Sequence, residues 1–154
     1  MGAEARLKEL GIDLPPPPAA TANYVPFVRE GGLLFVAGQG PMAADGTIAY
    51  MGRVGTDISE EDGYQAARMC AVNCLAQIKA ALGSLDNVKR VVSLRGFVAC
   101  ADDFYDQPKI INGASDLMVE VFGDAGRHVR TAIGAIALPF NIATEVDMIV
   151  AAKE

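Results

Sequence analysis

Hydrophobic and polar positions change their period several times along this chain, and each change predicts an element. Tyr24–Arg29 and Leu33–Ala37 read as two strands, with Glu30-Gly31-Gly32 as the turn between them. Asp45-Gly46 signals another turn and leads into Thr47–Met51 as a third strand. The period then lengthens. Ser59-Glu60-Glu61-Asp62 predicts a helix start, with Ser59 as cap, Asp62 closing a capping box and an acidic first turn suited to the helix dipole. Ala67, Ala71, Cys74, Ile78 and Leu82 form an apolar stripe at helical spacing, and Gly83 is a natural stop. Val88–Cys100 reads as a long strand, and Pro108–Phe122 as a second helix between Asp106 and Gly123. Val129–Ala137 and Ile142–Ala152 read as a closing hairpin, joined at Leu138-Pro139-Phe140-Asn141. The predicted order is β-β-β-α-β-α-β-β, an α+β fold with two helices on one face of a sheet. A sheet covered on one side has another face to bury, which predicts an oligomer.

Ahead of these elements, residues 1–21 form a leader. It holds a short helical piece from Glu4 to Leu10, then Gly11, Leu14 and Pro15-Pro16-Pro17-Pro18. Four successive prolines cannot continue a helix and favour extended polyproline geometry, as a stiff spacer or an arm packed on the domain or a neighbour. Residues 22–154 read as one domain without internal repeats.

Composition narrows the function classes. The chain has 154 residues, 51% of them apolar, and a net charge of −6. That is long enough to bury about two thirds of the unfolded surface in one core. An acidic chain without a basic stripe lacks the footprint that phosphate backbones require, so no nucleic-acid partner is expected. No apolar run reaches the roughly 18 residues needed to cross a bilayer. The start, Met1 to Glu9, has no secretory apolar segment, and Arg6 stands where a myristoylation signal requires Ser or Thr. The expectation is a cytoplasmic protein without membrane attachment. Cys70, Cys74 and Cys100 are too few for a disulfide framework. Cys70 and Cys74 lie one helical turn apart, but two thiolates are an incomplete zinc site, and packed helix residues are the expected reading. No metal is expected.

The familiar catalytic motifs are missing. There is no GxxxxGK[ST] phosphate loop, and Gly38-Gln39-Gly40 has no third glycine opening a helix. His128 has no elbow serine to serve and, beside Arg127, is expected to face solvent. The closing hairpin carries more information. If it turns near residues 138–139, Ala132 lies opposite Glu145, with Arg130 diagonal to them on the same face. Alternation puts Arg130, Ala132 and Gly134 on one face and Val129, Thr131 and Ile133 on the other. Arg130 and Glu145 would then flank a spot floored by small residues. A guanidinium can grip a carboxylate through two parallel hydrogen bonds, and a glutamate can orient water. The same geometry also fits an ordinary cross-strand ion pair.

Tyr24-Val25, Leu34-Phe35-Val36-Ala37-Gly38-Gln39-Gly40-Pro41, the capped helix, Arg130-Thr131-Ala132, Leu138-Pro139 and Glu145-Val146-Asp147 together resemble the RidA family, also called YjgF. The resemblance covers residues 22–152, and the proline-rich leader points to a divergent branch. It implies a chorismate-mutase-like fold with a mixed β-sheet, assembled as a homotrimer with clefts between subunits. It implies hydrolysis of reactive enamines and imines, such as 2-aminoacrylate, to a 2-keto acid and ammonia without a cofactor. Carried over by residue, Arg130 would bind the substrate carboxylate and Glu145 would position or activate water. Tyr24 would line the cleft, Gly38 would admit ligand close to the backbone, and Asn112, Thr131 and Ala132 would contact substrate. Asn112 also fits a first-turn helix residue satisfying the backbone, and Tyr24 a packing residue.

This chain departs from the family pattern at two places. Ala132 stands where a cysteine is frequent, and Ala37 where the archetype has a hydroxyl residue. Both changes imply a wider, drier cleft and a larger or more apolar substrate. The lost polar contacts also fit a second function, a non-catalytic module binding a keto acid or similar carboxylate on the same scaffold. Retention of both Arg130 and Glu145 favours the enzyme.

Overall fold

The computed structural model describes residues 1–154. Its helices are α1 (Ala3–Glu9), α2 (Glu60–Leu82) and α3 (Gln107–Phe122), and its strands are β1 (Phe27–Glu30), β2 (Leu33–Gln39), β3 (Val88–Ala99), β4 (Val129–Ala135) and β5 (Thr144–Ala152). Ser59 caps α2 as its sequence predicts, accepting the Asp62 N–H at 3.1 Å. Gly83 ends it at φ +80°, a left-handed conformation open to glycine at little steric cost. Ala67, Ala71, Cys74 and Ile78 of the predicted stripe are fully buried.

The strands form one sheet in the order β1-β2-β5-β3-β4. Only β3 and β4 run parallel, joined through α3. The other neighbours are antiparallel. Helices α2 and α3 cover one face, where Leu34, Val91, Leu94, Val98, Val146, Met148 and Val150 are buried. The opposite face is open, with Val28, Phe35, Val129 and Ile133 exposed between the strand ends and the Arg95–Asp147 ion pair. No helix is long and apolar enough to cross a membrane.

Two expectations are corrected here. Thr47–Met51 is not a strand of the sheet and contributes only the isolated bridges Met42↔Ile48 and Met51↔Ile142. The turn before it is real, since Thr47 donates to Asp45 Oδ1 from both its N–H and its hydroxyl. But Gly46 and Gly52 turn the backbone at either end, at φ +86° and +100°, leaving too little extended chain for a ladder. The closing strands also do not pair. Strand β3 lies between them, so Ala132 and Val146 both face Gly96, and Glu145 faces Phe97. Residues 136–143 are too many for a tight hairpin, Pro139 brings no N–H, and Phe140 and Asn141 adopt positive φ. The link therefore carries the chain over the end of β3 to its far edge.

The leader lies against the domain. Ala3 and Leu7 of α1 enter the core, with Ile12 and Leu14 packed beside them. Glu4 accepts the Leu85 N–H at 2.9 Å and pairs with Lys79 at 2.8 Å, tying α1 to the end of α2. The prolines that follow belong to no helix or strand, and Gln77 donates to the Pro18 carbonyl at 2.6 Å.

Where α2 and α3 cross, Gly113 lets the backbones touch. A Cβ there would overlap the Tyr64 carbonyl oxygen and lie 3.1 Å from the Arg68 nitrogen, both main-chain atoms of α2. Flanking polar pairs, Tyr64–Asp116 and Arg68–Glu120, each at 2.7 Å, hold the crossing in place. Alanine is better than glycine in a helix by about 1 kcal/mol. Overpacking against backbone costs about 3 kcal/mol, so the clash wins. Gly113→Ala is expected to lower the melting temperature by roughly 4–8 °C in a thermal scan, and no loss would place the contact on movable atoms.

Candidate functional site

The sequence-predicted site residues fall into two groups. The first surrounds Arg130 on β4. Pro108, Asn112 and Ser115 are spaced four and three residues apart, which puts them on one face of α3. Arg130 meets all three. Nη1 donates to Asn112 Oδ1 at 2.8 Å and to Ser115 Oγ at 3.1 Å, and Nη2 donates to the Pro108 carbonyl at 3.1 Å. A guanidinium carries five N–H groups, so Nε–H and one Nη2–H remain without a partner in the chain. Asn112 is thus engaged by the arginine and does not serve the helix backbone. Ala132 follows on the same face, packed at the edge of the core, while Thr131 points to the open face.

His128 belongs to this group, which corrects the expectation that it faces solvent. It is half-buried, with Nδ1 2.6 Å from the Gly126 carbonyl and Nε2 2.9 Å from Ser115 Oγ. Burial pushes its pKa down, the Gly126 hydrogen bond opposes this, and the Arg130 charge adds to the lowering.

The second group surrounds Glu145 on β5. Between Val36 and Gln39 the register of β2 against β5 slips by one residue, a bulge that lays Gly38 directly on the glutamate. A Cβ at Gly38 would lie 2.5 Å from Glu145 Oε1. Glycine here is a matter of close approach. Tyr24, Gly38 and Glu145 line one cavity of about 520 Å³, closed on other sides by Pro18–Thr21, Gln39, Ile48 and Phe140. Amides from α2 fix these walls: Asn73 donates to the Gly40 and Met42 carbonyls, both at 3.0 Å, while Gln77 holds Pro18. Ala37 lies outside this cavity, in a groove on the open face. Cys70 and Cys74 lie beneath β5, against the Thr144 and Val146 carbonyls, and burial pushes the Cys70 thiol up to about 12.

Glu145 is half-buried, and its pKa is raised, first by burial and then by repulsion from Asp147. Asp147 is itself gripped by Arg95 through Nε and Nη2, at 3.0 and 2.8 Å. A carboxyl whose folded pKa lies above its unfolded one binds more protons when folded. Stability is therefore lost as pH rises through that window and stays lower above it. Glu145→Gln is expected to melt higher than wild type at neutral pH, with the gap closing toward about pH 4. A gap of equal size at both pH values would refute the assignment.

Arg130 and Glu145 are not brought together within one chain. Their strands sit on either side of β3, about 10 Å apart in the plane of the sheet. Their side chains also leave on opposite faces, Arg130 toward α3 and Glu145 toward Gly38. The expected spot flanked by both does not exist in the subunit, because it depended on a hairpin that does not form. Sequence reading also passed over Ser115, Gln39 and Gln77, although the spacing of Pro108, Asn112 and Ser115 carried the signal for the first.

Residues 4–151 match the family described as "YjgF/chorismate_mutase-like, putative endoribonuclease". The chain belongs to the YjgF/RidA family. Among its relatives, Protein TCP17 of Trypanosoma cruzi is 46% identical over 147 residues, 95% of this chain and 91% of that protein. The crystal structure of Atu1372 from Agrobacterium tumefaciens is 49% identical, covers 99% of this chain and 92% of its own, and superposes with a TM-score of 0.90. A Shewanella oneidensis structure described as "a putative endoribonuclease" is 35% identical, covers 98% and 99% of the two chains, and reaches 0.95. The YjgF/RidA member described here thus has the mixed α+β, chorismate-mutase-like fold that its sequence led us to expect.

Proposed function

We propose that this protein hydrolyses reactive enamines and imines to a 2-keto acid and ammonia, at clefts between the subunits of a homotrimer. The observation that carries the reading is the division of the site. Arg130 offers two unpartnered N–H groups on one face, and Glu145 stands in a cavity on the other. Each group is half of what the chemistry needs. In the assembly, Arg130 and Asn112 of one subunit would meet Tyr24, Gly38 and Glu145 of the next. The exposed apolar residues of the open sheet face supply the surface for assembly.

The chemistry follows from these groups. The substrate carboxylate takes the two free N–H donors of Arg130, which fixes the C=N carbon relative to the cavity. An enamine first takes a proton on its terminal carbon and gives one up from its nitrogen, becoming the imine. Water then adds to the C=N carbon, its proton passing to the nitrogen through Glu145, and the carbinolamine collapses to the keto acid with loss of ammonia. A carboxyl with a raised pKa exchanges protons closer to neutrality, which suits this relay. The net charge of −6 argues against a nucleic-acid partner, and a small anionic substrate would rely on the local charge of Arg130.

The test is a coupled assay in which an amino-acid oxidase generates imines from several amino acids while keto-acid appearance is followed. Acceleration by wild type that is lost in Arg130→Ala supports the deaminase. No acceleration for any imine, in a folded oligomer that still binds keto acids in a thermal-shift screen, would replace it with a ligand-binding module.

A further inference from the structure

We propose that Ser115 and His128 are positioning residues that hold the Arg130 guanidinium ready for the substrate carboxylate; this rests on the deaminase reading. Three hydrogen bonds link them in one direction. A carbonyl can only accept, so His128 Nδ1 donates to Gly126 at 2.6 Å. In the neutral ring Nε2 is then an acceptor, and it takes the single Ser115 hydroxyl proton at 2.9 Å. Ser115 Oγ has spent its proton and presents a lone pair to Arg130 Nη1 at 3.1 Å.

The far end of this relay is fixed. Gly126 is buried in a short 3-10 turn, so close to α3 that a Cβ would overlap the Met118 carbonyl oxygen. The relay therefore ties the arginine to a rigid point of the fold. Without His128 as acceptor, the Ser115 proton loses its fixed partner, and the direction of the lone pair that meets Nη1 is no longer set. The bonds also decide which donors stay free. Nη1 is consumed by Asn112 and Ser115 and one Nη2–H by Pro108, so a carboxylate meets Nε–H and the spare Nη2–H. Losing a hydrogen bond to a charged group costs about tenfold in affinity at least, enough to read in KM.

The experiment measures kcat and KM separately, with the imine assay above, for wild type, Ser115→Ala, Ser115→Thr, His128→Gln, Arg130→Ala and Arg130→Ala/Ser115→Ala. KM is expected to rise about tenfold in Ser115→Ala, with a smaller change in kcat. Ser115→Thr keeps the hydroxyl and should return KM to near wild type. His128→Gln supplies an amide oxygen in place of Nε2 and should fall between them. The double variant should be no worse than Arg130→Ala alone, because the serine acts only through the arginine. Wild-type KM in Ser115→Ala and His128→Gln, with Arg130→Ala impaired, would overturn this inference alone. So would additive losses in the double variant, which mean a merely structural role. Wild type inert on every imine would overturn both readings, and melting curves separate misfolded variants from repositioned ones.

Discussion

Arg130→Ala is expected to lower kcat/KM for imine hydrolysis by roughly 10²–10³-fold, the cost of removing one partner from a charge-assisted, two-bond grip. Most of the loss should appear in KM, because the carboxylate is held in ground state and transition state alike. Some should appear in kcat, since a carboxylate no longer fixed leaves the C=N carbon unaligned with Glu145. Folding should suffer little. The arginine is only partly buried, and its removal leaves Asn112 Oδ1 and Ser115 Oγ without a donor at a site water can reach. Steady-state kinetics alongside a melting curve therefore separate the two consequences. A variant that keeps wild-type kcat/KM while folded would remove Arg130 from the site.

The second large effect is a recovery. Arg130→Ala and Glu145→Gln are each expected to be nearly inactive, yet co-refolding them at equal amounts should restore activity to about a quarter of wild type. The recovery follows if each cleft draws its arginine from one subunit and its glutamate from the next, as proposed above. In a randomly mixed ring, one cleft in four receives the intact residue from both sides. Mixing the two folded variants without unfolding should recover nothing until subunits exchange. Failure to recover activity in proven mixed oligomers would mean that arginine and glutamate do not act across an interface.

Much of the fold could be read locally. The Ser59 cap, the Ala67–Ile78 stripe and Gly83 define α2 with contacts inside one segment, so the sequence carries them directly. Strand order is different. Nothing within Val129–Ala137 says that its partner is β3 and not β5, because that choice depends on where α3 returns the chain. The alternation along β4 was legible and correct, with Arg130, Ala132 and Gly134 toward α3, while the partner assumed for them was not. Thr47–Met51 misled through a genuine turn at Asp45-Gly46, followed by a second reversal at Gly52 that cancels the strand. Gly38 shows the converse. A lone glycine in a strand suggests a bulge, but only the register against β5 shows that the space belongs to Glu145.

Placing arginine and glutamate on opposite faces of one sheet has a consequence in mass action. On the proposed reading, a free subunit would carry every reactive group and still lack a closed cleft, so the protein's own concentration would set its specific activity. Diluted below its assembly constant, the protein should fade faster than linearly and recover fully on concentration. On the same reading, an unassembled chain could hold a small acid at Arg130 but would have no glutamate beside it to turn it over.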